Sequence, residues 1–164
     1  MDVRQFIELM KPITDAIAGR DFDAALERDL NQAFSEQSDT FKLIEQSCHS
    51  AIEKGWMCAQ GGEGRRFGRV VEPSPETHDL SIDVVDLKDI VGPHHRHPMG
   101  EICMVMPQDD GALFDGHESG WCVNPPGSAH RPTVTGGRAL VLYFLPQGRI
   151  EFTEEASPTP AKPG

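Results

Sequence analysis

The segment GPHHRHPMGEICMVMP, residues 92–107, places His95 and His97 two positions apart and Glu101 after three intervening residues. In an extended strand, positions i and i+2 share a face, so both imidazoles can point into one interior. Glu101 lies an even number of positions further on and joins them if Pro98 and Gly100 bend the chain without changing that parity. A second segment, GWCVNPPGSAHRPTV at 120–134, sets a Pro-Gly turn just before His130, on what would be another strand. Three neutral imidazoles and one carboxylate form a ligand set for one divalent ion, and octahedral geometry then leaves two positions open for water or substrate. The expected metal ligands are therefore His95, His97, Glu101 and His130, a set that accommodates Fe, Mn, Ni or Zn.

Outward from this segment, the pattern is that of short strands. Runs of period-two or wholly apolar character, separated by Gly, Pro, Asp and Asn, fall at 66–71, 80–87, 102–106, 112–114, 121–123, 131–134, 138–144 and 150–152. Their number and close spacing suit a sandwich or barrel that closes or covers its edges. The GGEGRRFG stretch at 61–68 lacks the lysine and spacing of a phosphate loop and reads as a linker into the first strand.

The N-terminal third has a different period. Val3, Phe6, Ile7, Met10, Ile13 and Ile17 form one amphipathic stripe, and Phe22, Leu26, Leu30, Ala33 and Phe34 a second, after the cap candidates Asp21 and Asp23. Asp39 or Thr40 can cap a third helix through Phe41, Ile44, Cys48, Ala51 and Ile52, which Gly55 ends. The expected organisation is a helical segment at 1–57 packing on the barrel or on a partner subunit, a β-barrel at 64–153, and a Pro-rich, polar, disordered tail at 154–164.

Composition excludes several function classes. A formal charge of -11 opposes nucleic-acid binding, because phosphate neutralisation needs clustered Lys and Arg. The first residues lack the basic start and apolar run of a signal peptide, and no stretch has the length of an apolar membrane span. A cytoplasmic protein without a membrane association is expected. Cys48, Cys58, Cys103 and Cys122 form no CxxC pair and read as free thiols.

The two histidine segments resemble the paired motifs of the cupin superfamily. HxH with a downstream Glu is matched by His95, His97 and Glu101, and PxGxxH by Pro125, Gly127 and His130. Gly92 stands closer to the first histidines than is usual, the spacing from Glu101 to Gly111 is longer, and Val134 replaces a common Asn, but the ligand positions are intact. The resemblance implies a mainly β protein, a cupin-type jelly-roll barrel preceded by two or three short α-helices, and a homodimer. More narrowly, HRHPMGEI, GWCVNPPGSAHRPTV and LYFLPQGRIEF are similar to the 4-hydroxylaminobenzoate lyase family of nitroaromatic catabolism, which forms protocatechuate and ammonia. That resemblance implies a metal-dependent lyase acting on a small aromatic carboxylate.

Around the ligands, Glu101 and Tyr143 are the expected catalytic side chains, Tyr143 having packing in the apolar LVLYFL strand as its competing role. A benzoate-type substrate needs a cation, and bidentate guanidinium contact suits a carboxylate. Among Arg65, Arg66, Arg69, Arg131 and Arg138, the expectation falls on Arg69 and Arg131. His94 has the wrong parity for a ligand, His117 reads as a loop residue, and His49 and His78 as ordinary polar positions. Cys103 shares the parity of Glu101 but reads as a small apolar filler. Two other functions fit the same ligand set. An oxygenase would consume dioxygen at an open iron position, and a metal-sensing or ligand-sensing module would carry a His and Cys zinc cluster in its helices, which Cys48 and His49 alone do not make.

Overall fold

The computed structural model describes residues 1–153, and the tail expected at 154–164 lies outside them. Three helices come first: α1 (Val3–Ile17), α2 (Ala24–Ala33) and α3 (Asp39–Lys54). Each begins where a short polar side chain accepts an orphan backbone N–H: Asp2 from Gln5, Asp23 from Leu26 and Ser38 from Phe41. The third cap is thus one residue earlier than the expected Asp39 or Thr40. Gly55 closes α3 at φ 89°, a left-handed conformation that glycine adopts without a Cβ clash.

Ten strands follow: β1 (Gln60–Gly62), β2 (Arg65–Val71), β3 (Leu80–Val91), β4 (His95–His97), β5 (Glu101–Pro107), β6 (Leu113–Phe114), β7 (Gly120–Asn124), β8 (Ser128–His130), β9 (Thr133–Pro146) and β10 (Glu151–Phe152). They form two antiparallel sheets. The larger has the order β1-β2-β3-β9-β5-β7, with β6 also pairing β9, and the smaller is β10-β4-β8. The protein is mainly β with three N-terminal helices, in the double-sheet arrangement of a small jelly roll.

Several boundaries differ from the sequence reading; β3, expected to end at 87, runs on to Val91. Part of the expected linker at 61–68 pairs as strand, Gly61 opposite Arg66. The two strands expected at 131–134 and 138–144 are one continuous strand, β9. Between them Gly136 and Gly137 take positive φ, opposite Asp89, where the register with β3 shifts between Lys88 and Ile90. A bulge therefore absorbs the Gly-Gly pair that reads locally as a turn, and the Asp89 carboxylate accepts from Gly137 N at 2.9 Å.

The large sheet is covered on both faces, which explains why its central strands are wholly apolar. Ile102, Met104 and Met106 of β5 and Leu140, Leu142 and Phe144 of β9 share a core with Phe6, Met10, Ile13, Leu26, Leu30 and Ile44 of the helices. The alternate residues, Cys103 and Val105, Ala139, Val141, Tyr143 and Leu145, face the interior beneath the small sheet. Helical stripes thus dock on the outer face, and the inner face is left for the site. All four cysteines are unpaired and buried.

The β7 edge is closed by α2 without another strand. Asn31 donates Nδ2–H to Trp121 O and accepts from Trp121 N through Oδ1, both at 2.9 Å, and Glu27 Oε1 accepts from Val123 N at 2.8 Å. These side chains take the place of a neighbouring strand's backbone.

Candidate metal centre

Strand parity and cross-strand register bring the four expected ligands together. His95 and His97 share a face of β4, both buried, and His95 lies directly opposite His130 of β8. Glu101 opens β5, fully buried, opposite Asn124 of β7. The turn between β4 and β5 is tight: Gly100 has φ 90°, and a Cβ there would come within 2.7 Å of the Phe22 ring and 3.0 Å of Asn124 O. The His97 carbonyl accepts from Gly100 N at 3.1 Å and from Gly127 N at 2.8 Å. One atom therefore ties the glycine of the first motif to that of the second, and with them the two segments that carry the ligands.

The ligand-capable atoms of His95, His97, Glu101 and His130 all lie within 4.8 Å of one another. His97 Nε2 is 3.0 Å from Glu101 Oε2 and 3.1 Å from His130 Nε2, and His130 Nε2 is 3.6 Å from Glu101 Oε1. His95 Nε2 is buried without a hydrogen-bond partner, and the buried Glu101 Oε2 has only the His97 ring nitrogen beside it. Lone pairs converging in a dry interior are costly unless a cation or proton lies among them. The donor set therefore fits a divalent ion, and among the described residues no other such group occurs.

Electrostatics favour the ligand forms of His95 and Glu101. Burial, reinforced by the neighbouring His97 and His130, pulls His95 down to about 4, so its ring is neutral at physiological pH. Burial alone would raise the Glu101 carboxyl, but His97, His130 and the Asn124 amide outweigh it and hold it below its ordinary value. Asn124 Nδ2 donates to Glu101 Oε1 at 2.8 Å. Pro93 O accepts from His95 Nδ1 at 3.2 Å, and Asp115 Oδ2 accepts from His130 Nδ1 at 2.6 Å. Burial opposes the charged form of His130, yet the Asp115 bond and Glu101 together raise it. Asp115 and Asn124 are the functional residues the sequence reading missed. Asp115 sits in a DG turn that looks like a simple connection, and Asn124 becomes visible only through its register opposite Glu101.

Beside this cluster is a cavity of about 340 Å³ between the sheets, within the range of small-molecule sites. His95, Tyr143, Asp83, Arg65, Phe67 and Arg69 contribute to its walls. The Tyr143 hydroxyl is buried without a hydrogen-bond partner, and burial pushes it well above its ordinary value, so it is a neutral phenol. Arg69 is in the wall but holds Asp83, Nε to Oδ1 at 2.7 Å. Arg131 is exposed and outside the wall. His94 turns away to Thr153, as its parity required, and His117 is exposed in its turn. Cys103 is fully buried in the apolar interior. Cys48 is buried in the helix–sheet core, whereas His49 binds Gln108 at the surface, so these two do not converge.

The family model described as 4-hydroxylaminobenzoate lyase matches residues 8–152. The chain belongs to the 4-hydroxylaminobenzoate lyase family. Family membership makes it a lyase. A 4-hydroxylaminobenzoate lyase of Pseudomonas putida is 31% identical over 167 residues, spanning 92% of this chain and 93% of that relative. One from a Nocardioides species is 30% identical over 158 residues, spanning 91% and 94%. Among solved structures, a protein of unknown function with a cupin-like fold from Ralstonia eutropha aligns over 56% of this chain and 60% of its own, at 16% identity and a TM-score of 0.40. No helix of the described residues is long and apolar enough to cross a membrane.

Proposed function

We propose that this chain holds one divalent metal ion through His95, His97, Glu101 and His130 and converts 4-hydroxylaminobenzoate, with one water, to protocatechuate and ammonia. The observation that carries this reading is the convergence of ligand-capable atoms from His95, His97, Glu101 and His130 within 4.8 Å of one another, with His95 also in the wall of a guest-sized cavity. Two curated relatives bearing that enzyme's name, each matched over nearly its whole length, support the choice of substrate. A bound divalent ion supplies Lewis acidity toward the departing hydroxylamino oxygen.

The reaction is redox-neutral. The N–O bond breaks with its electron pair leaving on oxygen, water adds at the ring carbon ortho to the nitrogen-bearing carbon, and a second water hydrolyses the resulting ring imine to release ammonia before the ring regains aromaticity. The oxygen lost from nitrogen leaves as one water, so one water is consumed overall and no external oxidant enters.

The chain's own groups hold this chemistry in place. Asp115 fixes the Nδ1–H tautomer of His130, and Pro93 O does the same for His95, so each presents Nε2 to the centre. Tyr143, neutral and unpartnered, donates its hydroxyl proton in a hydrogen bond to a guest oxygen. Glu101 would lower the net charge at the centre, and Asn124, donating to Glu101 Oε1, fixes the orientation of its carboxylate. The apolar walls limit the water that reaches the ring. We place the protein in the cytoplasm, where its thiols stay reduced, and expect the homodimer that cupin resemblance implies, which light scattering tests.

The experiment is metal analysis of the purified protein together with an ammonia assay. Chelation abolishes ammonia release and re-addition of the native metal restores it. Full activity in verified metal-free protein rejects the metal's role, and an inactive metal-replete protein rejects the reaction.

A further inference from the structure

We infer that Arg65, not Arg69 or Arg131, is the anchor for the substrate carboxylate, an inference that rests on the aromatic-carboxylate reading above. Arg65, Phe67 and Arg69 alternate along β2 and so share one face, and all three line the cavity that His95 and Tyr143 also line. The two arginines are not equivalent. Arg69 donates to both Asp83 oxygens, at 2.7 and 3.3 Å, and to Gly148 O at 3.0 Å. The chain makes room for this clamp, since a Cβ on Gly148 would lie 2.6 Å from Arg69 Nη1. An anion placed there would face the Asp83 carboxylate. Arg69 thus ties β2 to β3 and to the turn before β10, with its charge already matched.

Arg65 is the opposite case. Its guanidinium carbon lies 4.8 Å from the centroid of the Phe67 ring, and among the described residues it has no carboxylate partner. A guanidinium held over the ring by this cation–π contact keeps its N–H groups for a planar anion. The formal charges in the wall are Arg65 and Arg69 against Asp83, two positive and one negative, which leaves one positive charge in a chain of net -11. That surplus is the charge on Arg65. Arg138 is excluded by its paired contacts to Asp86 at 2.6 and 2.9 Å, and Arg131 is outside the wall. A guest held by its carboxylate at Arg65 keeps its other substituent for Tyr143 and His95, which line the same cavity.

The test measures benzoate binding by calorimetry on the metal-loaded full chain, together with kcat/KM for 4-hydroxylaminobenzoate and for phenylhydroxylamine, which lacks the carboxylate. In Arg65→Gln, benzoate affinity falls on the order of 10- to 100-fold, the loss expected for a charge-assisted contact. The preference for the carboxylated substrate falls by a similar factor, and Arg65→Lys recovers part of both. The double variant Arg69→Gln, Asp83→Asn keeps the surplus charge and retains benzoate affinity within a few-fold. Unchanged benzoate affinity in a folded Arg65→Gln, or its loss in the double variant alone, overturns the assignment. Should the wild type bind benzoate yet release no ammonia, the proposed reaction fails while the binding series still decides the role of Arg65. Absence of benzoate binding to the wild type overturns the subsite itself.

Discussion

Asp115 accepts a hydrogen bond from His130 Nδ1 at 2.6 Å, which leaves the other ring nitrogen of His130 facing His97 and Glu101. The second Asp115 oxygen accepts from Thr133 N at 2.8 Å. One carboxylate therefore orients a proposed ligand and anchors the start of β9. Carboxylate partners of this kind fix the tautomer and raise the donor strength of a metal-bound imidazole.

Asp115→Asn separates these tasks, because an amide oxygen can still accept from Thr133 N while the amide group donates where His130 needs an acceptor. Metal affinity should fall by about 10- to 100-fold, read by titration of metal into chelator-treated protein, with a melting temperature close to that of the wild-type apoprotein. Equal affinities for variant and wild type would remove Asp115 from the centre.

Asn31→Ala removes the side chain that completes the backbone pairing of Trp121. Two backbone groups at the β7 edge then lose their partner, and the folded state should be destabilised by about 1–3 kcal/mol. Urea unfolding checks this: the midpoint moves down with an unchanged slope. A midpoint equal to that of the wild type would mean that water satisfies the edge equally well.

The thiols should be silent in the folded protein. Burial pushes Cys58 up to about 12 and raises Cys48 and Cys103 well above the ordinary thiol value, so at pH 8 almost none of these three exists as the reactive thiolate. Cys122 is buried as well. An aromatic disulfide reagent at pH 8 should label none of the four within minutes, and all four after denaturation. Rapid labelling of any one in the native protein contradicts this burial.

Much of the architecture is carried by short windows of sequence. The three helices follow from stripes of period 3.6 with polar caps, and α1 through α3 occupy the stretches those stripes mark. The ligand geometry is also local in part: two-residue spacing puts His95 and His97 on one face wherever β4 lies. What local spacing leaves open is how β4 meets β8 and β5, since that depends on pairing across the chain. The register of His95 opposite His130 and of Glu101 opposite Asn124 completes the cluster.

The same distinction separates the arginines and the turns. Arg65 and Arg69 are alike in sequence, and only the pairing of β2 with β3, which sets Asp83 beside Arg69, distinguishes a neutralised guanidinium from a surplus one. Gly136 and Gly137 have the composition of a turn, but long pairing with β3 makes them a bulge within one strand. From the sequence by itself came the periodicities, the Asp23 cap and the identity of the ligand residues, because these depend on neighbours a few residues apart. Tertiary structure decided which donors face one another, which charges are already matched and which helix face covers the sheet, because these energies arise only when distant segments exclude water together.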